Sequence, residues 1–248
     1  MVTQILVKQE RKAGGNVQQF PIPEKRPKAK VVKPIRYYLL RHGETEYSQA
    51  GRYSGWEDAR LTDTGLEQHQ TMAAALAHTD LAVIYTSDSY RCIHLAQAVA
   101  KSRKVGLHKR KGLRELNFGA FGGKTYGEAA AEHPQALARW VAEPVRNAPP
   151  HGETLERLWE RLLPVLQEVK SEVQELPSTD SICVPVAIVT HGGPIRALLC
   201  QWLGIPLPYQ WQFRIDPGSL TVVEQYEEGA ICCSVNWRPG CLSALEMR

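Results

Sequence analysis

LLRHGET (residues 39–45) ends an apolar run in an arginine, a histidine and a glycine, and AIVTHGG (187–193) repeats the histidine–glycine ending far along the chain. The residues ahead of the first, IRYYLL, are β-branched and aromatic, and those ahead of the second, VPVAIVT, are almost all apolar; both read as strands buried in a sheet. Working outward, LTDTGLEQHQTMAAALAH has helical spacing with Thr62 or Asp63 placed to cap it, LAVIYTS is another short buried strand, and RCIHLAQAVAKS another helix. Residues 124–142 and 154–175 look helical, kept apart by Pro149, Pro150 and Gly152. PIRALLCQWLG reads as a helix with Pro194 in its first turn. SLTVVEQY and AICCSVN read as a closing pair of strands. Strands alternating with helices imply an α/β fold, a three-layer α/β/α sandwich with a mostly parallel central sheet.

The 248 residues, 43% of them apolar, suffice for one large core. No apolar run approaches the roughly 20 residues that cross a bilayer, and MVTQILVKQERK lacks the apolar stretch of a secretory signal, so no membrane partner is expected. The six cysteines show no metal-ligand or disulfide-scaffold spacing, which points to reduced thiols and a cytoplasmic location. Residues 1–36 carry nine Lys or Arg against Glu10 and Glu24, so the net charge of +4 conceals a basic arm on an otherwise acidic chain. With the Gly-, Pro- and Lys-rich stretch 14–34 as linker, residues 1–30 are expected to form a basic extension and residues 31–248 the folded domain. No basic strip interleaved with aromatics follows, so nucleic acid is not an expected partner; an oligomer is allowed.

In an open α/β sheet, ligands bind beyond the carboxyl ends of the strands. Arg41, His42, Ser87 and His191 fall there, and Arg91 opens the helix that follows YTSDS. Arginines disfavour the cationic form of a neighbouring histidine, leaving a neutral, nucleophilic imidazole. Glycines after each histidine let backbone approach an anion, a helix starting at Pro194 aims its N–H groups at it, and guanidinium forks match phosphoryl oxygens. Taken singly, these residues have ordinary structural explanations; their common placement makes a phosphate pocket. His42, His191 and a carboxylate could also suit a metal, but two arginines would repel it, so no metal and no cofactor are expected.

LLRHGET, RYSGW, TSDSYR, LRELNFG, PHGET and VTHGG, in that order, resemble the histidine phosphatase superfamily, also called phosphoglycerate mutase-like, over about residues 35–238. The resemblance implies that His42 is the nucleophile that becomes a phosphohistidine. It implies that Arg41, Arg91 and His191 hold the phosphoryl oxygens, that Gly192 offers a backbone N–H, and that Glu115 protonates the leaving oxygen. An acid in that role should lie near apolar neighbours such as Leu113, Leu116 and Phe118. Ser48 stands where most relatives have Asn and is expected to reach phosphate through its hydroxyl. Gly122 replaces a common acidic residue, so that contact is missing or supplied elsewhere, and His94 departs from the usual small and Gln-containing pattern and is expected to be structural. Tyr53, Ser54, Gly55, Trp56 and Phe118 are expected around the substrate, with Glu153 and Thr154 capping a helix.

Residues 120–150 lack the arginine pair of mutase relatives, so the resemblance favours a phosphomonoesterase acting on a small phosphorylated metabolite. Its motifs are most like α-ribazole-phosphate phosphatases. A phosphoglycerate mutase, and a catalytically weak scaffold using the basic arm to dock a partner, are the alternative readings.

Overall fold

A computed structural model describes residues 33–101, 103–177 and 181–239. The basic extension expected over residues 1–30, and its boundary at residue 31, lie outside the described residues.

The described residues begin with β1 (Ile35–Arg41), a short helix α1 (Glu46–Gln49), α2 (Asp63–Ala75), β2 (Val83–Ser87), α3 (Tyr90–Ala100) and β3 (Gly106–Arg110). Three helices follow, α4 (Tyr126–Glu132), α5 (Pro134–Ala142) and α6 (Leu155–Glu175), then β4 (Val184–Thr190), α7 (Gly192–Trp202), β5 (Leu220–Gln225) and β6 (Ala230–Trp237). Single-turn helices cover Lys111–Leu113 and Gly119–Phe121, and a longer 3-10 turn covers Leu207–Gln212.

The strands form one sheet in the order β3-β2-β4-β1-β5-β6, parallel from β3 to β1, with β5 and β6 antiparallel. Its faces are covered separately. Tyr37, Leu39, Tyr85, Val186 and Ile188 pack with the buried sides of α5, α6 and α7. Leu40, Ile84, Ala187 and Val189 pack with Met72 and Leu76 of α2 and Leu95 and Val99 of α3. This is the expected three-layer sandwich, and the alternation of side chains along each strand produces it. Truncating a fully buried side chain such as Leu39 to Ala would cost about 2–5 kcal/mol.

Local chemistry sets the helix starts. Thr62 accepts from Gly65 N at 3.1 Å, Thr154 accepts from Arg157 N at 3.2 Å, and Thr125 and Glu128 form a reciprocal cap on α4. Residues 124–142 are two helices rather than one, because Pro134 cannot continue α4 and instead starts α5. α7 starts two residues before Pro194, at Gly192, with His191 itself at the cap position. β3 was not anticipated from sequence: GLHKR is a half-exposed edge strand whose polar residues face α6, with His108 Nε2 3.1 Å from Glu172 and Arg110 paired with Glu168. Among the described cysteines all are free: Cys92, Cys183 and Cys200 are buried, Cys232 is half-buried and Cys233 is exposed.

Candidate active site

β1 and β4 are adjacent and parallel, with Arg41 opposite Thr190, so the residues that follow each strand emerge side by side. His42 N donates to Thr190 O at 3.1 Å, and the His42 and His191 rings meet edge to face with centroids 5.0 Å apart. Arg91, from the start of α3, is buried and points at the same place, its Nε 3.2 Å from His42 Nε2. Its two terminal nitrogens donate to Gly55 O at 2.8 Å and Glu57 O at 2.9 Å, which orients the fork.

His42 Nδ1 lies 2.7 Å from Gly43 O. Only a protonated nitrogen can donate there, so Nε2 is the unprotonated nitrogen, and its lone pair accepts from Arg91 Nε at 3.2 Å. Burial, then Arg91 and Arg41, hold the His42 pKa well below its usual value; burial, Arg91 and His42 do the same to His191. Both rings are therefore neutral at physiological pH. His191 Nε2 contacts Ser87 Oγ at 3.0 Å, and buried Cys92 lies 3.4 Å from the same nitrogen, its own pKa pushed up to about 12 by burial.

Arg41 donates to Ile215 O at 2.5 Å, while its buried Nε has no partner. Burial lowers the Arg41 pKa to about 10, which leaves the guanidinium charged. An unpartnered donor on a buried cation is a site made for an anion. Glu115, also buried, accepts from Leu116 N at 2.8 Å and from Gly193 N at 3.0 Å, which anchors it at the first turn of α7. Leu116 and Phe118 flank it along the cleft as expected, whereas Leu113 belongs to the core beneath.

Arg41, His42 and Glu115 open onto a cleft of about 330 Å3 lined also by Tyr53, Gly192 and Arg196, among others, whereas Arg91 and His191 are buried and do not line it. Ser48 also lines it, and its hydroxyl accepts from Thr45 N at 2.8 Å and donates to Thr45 O at 3.0 Å, capping its own short helix. Ser54 faces the cleft with a buried, unpartnered hydroxyl. Gly55 and Trp56 do not line the cleft. Gly55 holds Arg91 through its carbonyl, while Trp56 donates to Glu115 O at 2.8 Å with Arg114 against its ring. Thr154 caps α6, but Glu153 does not. It accepts from Asn117 N at 2.8 Å and pairs with Arg161 at 2.5 Å, and Arg161 also donates to Glu115 O at 2.8 Å.

The Glu57 carboxylate lies beside Gly122, its Oε2 buried and without a hydrogen-bond partner. A Cβ on Gly122 would lie 2.0 Å from Glu57 Oε1, so the Glu57 carboxylate fills that space. Arg196 is one of the cleft residues that sequence reasoning missed, with Arg52, Gln210 and Trp211. It stacks on Trp211 at 5.4 Å and donates to Phe213 O at 2.9 Å, and a Cβ on Gly192 would lie 3.2 Å from it and 3.5 Å from Arg41. Its signal was four-residue spacing from Gly192, which puts both on one helix face. Among the described residues no group of three or more His, Cys, Asp or Glu could hold a metal ion, and no helix is long and apolar enough to cross a membrane.

Comparison with known proteins adds to this geometry. The sequence profile of the histidine phosphatase superfamily (branch 1) matches residues 37–238. Phosphoserine phosphatase 1 of Hydrogenobacter thermophilus is 29% identical over 82% of this chain and 92% of its own. Adenosylcobalamin/alpha-ribazole phosphatase of Salmonella typhimurium is 29% identical over 83% of this chain and 100% of its own. The native structure of a mycobacterial glucosyl-3-phosphoglycerate phosphatase superposes with a TM-score of 0.74 at 26% identity, over 82% of this chain and 99% of that one.

Proposed function

The chain belongs to the histidine phosphatase superfamily, and on that premise we propose that it hydrolyses a small phosphomonoester through a phosphohistidine formed at His42. One observation carries the assignment. His42 Nε2 is an unprotonated lone pair, and beside it lie a buried Arg91 guanidinium at 3.2 Å and the edge of the His191 ring.

In this reading the phosphoryl oxygens take hydrogen bonds from Arg41, Arg91, His191 and the Gly192 N–H, whose positions are preorganised for the charge of the transition state. The His42 Nε2 lone pair forms the N–P bond as the P–O bond to the leaving group breaks, and Glu115 gives that oxygen its proton. Water then attacks phosphorus, Glu115 takes a proton back, and the N–P bond breaks to free phosphate and the neutral imidazole.

The relatives are named for an amino acid phosphate, a ribazole phosphate and a glycosylated phosphoglycerate. α-Ribazole 5′-phosphate is the substrate we propose. The Tyr53 and Phe118 rings lie tilted at 36° with centroids 4.9 Å apart along the cleft, and Trp211 lines the same cleft, an aromatic lining that suits a leaving group bearing a flat aromatic base. The five free thiols among the described residues favour a reducing, cytoplasmic compartment.

The test is phosphate release from a panel of phosphomonoesters in EDTA, wild type beside His42→Ala. Activity that survives chelation and vanishes in the variant supports the assignment; chelator sensitivity, or an active variant, refutes it. Phosphoglycerates in the panel report isomer formation if the enzyme is a mutase.

A further inference from the structure

Two histidines that take no part in this chemistry stand directly behind the nucleophile. Gly43 and Gly65 bring their backbones into contact: a Cβ on Gly43 would lie 2.4 Å from Gly65 O, and one on Gly65 2.1 Å from Glu44 O. This approach carries His69, one helical turn beyond Gly65, up to the Gly43 N–H, which donates to His69 Nε2 at 2.7 Å. The other ring nitrogen of His69 meets His94 Nδ1 of α3 at 2.8 Å. Gly43 also accepts the His42 Nδ1 proton at 2.7 Å, so the same residue is held from behind by His69 and orients the nucleophile in front.

The proton positions follow from these contacts. Because His69 Nε2 accepts, its proton sits on Nδ1, so His94 Nδ1 must accept and carry its own proton on Nε2. Both rings are then neutral. A further proton from solvent can enter only on an accepting nitrogen. On His94 Nδ1 it sets two N–H groups against each other; if His69 re-tautomerises to relieve that, its Nε2 acquires a proton and can no longer receive the Gly43 N–H. No arrangement of the singly protonated pair keeps both hydrogen bonds.

We propose that His69 and His94 are positioning residues that form a two-ring latch on Gly43, holding the His42 imidazole in line for attack, and that uptake of one proton by the pair releases it. The inference rests on His42 being the nucleophile. The titratable groups facing the pair are His42 across Gly43 and Tyr90, whose ring centroid is 6.1 Å from that of His94; among the described residues no carboxylate is hydrogen bonded to either ring. His69 is fully buried and His94 half-buried, so the proton enters from the α3 side. Burial, then His94, lower the His69 pKa to about 4, the direction expected of a ring kept neutral by its surroundings.

The experiment measures kcat and KM against pH for wild type, His94→Gln, His69→Phe and His42→Ala. An amide oxygen at position 94 accepts from His69 at every pH. His94→Gln should therefore keep kcat near pH 7.5 within about twofold and move the acid limb of the profile down by about half a pH unit or more. His69→Phe leaves the Gly43 N–H without an acceptor and should lower kcat by about 10- to 100-fold at all pH values with KM little changed. An acid limb in His94→Gln that coincides with wild type overturns the latch, whatever the folding of His69→Phe, and so does wild-type kcat in a folded His69→Phe. Activity in His42→Ala would instead overturn the nucleophile assignment, so the two failures are distinguishable.

Discussion

Gly193→Ala separates proton delivery from the rest of the chemistry. A Cβ at this position would lie 2.2 Å from Glu115 Oε1, and real Cβ contacts stay above 3.0 Å, so the carboxylate must retreat by about 1 Å. Misplacement of that size costs on the order of 100-fold in rate, or about 2.7 kcal/mol in the barrier. Fold stability should change little. Weakening the N–H bonds to Glu115 costs about 1–3 kcal/mol, and replacing a helical glycine of α7 by alanine returns about 1 kcal/mol. The assay compares kcat/KM for an alkyl phosphate, whose leaving oxygen needs a proton, with that for a nitrophenyl phosphate, whose leaving oxygen departs as a stable anion. The variant should lose roughly 100-fold on the alkyl ester and far less on the aryl ester. Equal losses on both, or none on the alkyl ester in a folded variant, would refute the role assigned to Glu115.

Other outcomes follow from the same coordinates. Arg161→Met removes the partner of mostly buried Glu153 along with the donors to Gly112 O and Glu115 O, and should cost about 3–5 kcal/mol in urea unfolding while lowering kcat. Gly43→Ala should abolish folding or activity because its Cβ would strike backbone at 2.4 Å, whereas Gly122→Ala should cost about 1 kcal/mol or less because only the Glu57 side chain must swing aside; thermal melts and kcat distinguish them. Acid should destabilise the enzyme. The folded His69 pKa is depressed from 6.5 to about 4, so the unfolded chain binds a proton that the native state excludes, and stability falls as pH drops through that window by roughly 3 kcal/mol for this ring alone. His42 and His191 shift in the same direction, and a urea midpoint at pH 5 that is not below the midpoint at pH 7.5 would contradict the protonation states assigned here.

The parts of the fold written in apolar pattern were legible. β2 and β4 are largely buried and read as short apolar runs, β1 reads as β-branched and aromatic, and α2, α3 and α6 carry capping threonines or helical spacing. β3 was not, since an edge strand whose side chains answer the charges of α6 has no apolar alternation to find. His42, Arg41, Arg91 and His191 could be named because each lies at the end of a strand or the start of a helix, Glu115 only through the resemblance of LRELNFG, and the structure brings the five together. The placement of loop residues was not legible. Whether Ser48 faces phosphate or caps its own turn, whether Trp56 lines the cleft or braces Glu115, and what Glu153 anchors all depend on long-range contacts that local sequence does not encode. The meaning of Gly122 and His94 lay in Glu57 and His69, residues that are remote in the chain and adjacent only after packing.

The parallel register that sets Arg41 against Thr190 also makes the chemistry depend on two strands far apart in the chain. His191 and Gly192 lie some 150 residues downstream of Arg41 and His42, and neither segment holds the chemistry on its own. Contacts of such long range form slowly and late. Recovery of turnover after dilution from denaturant should thus coincide with the last cooperative step of assembly and never precede it, making product formation a clock for the docking of the two central strands.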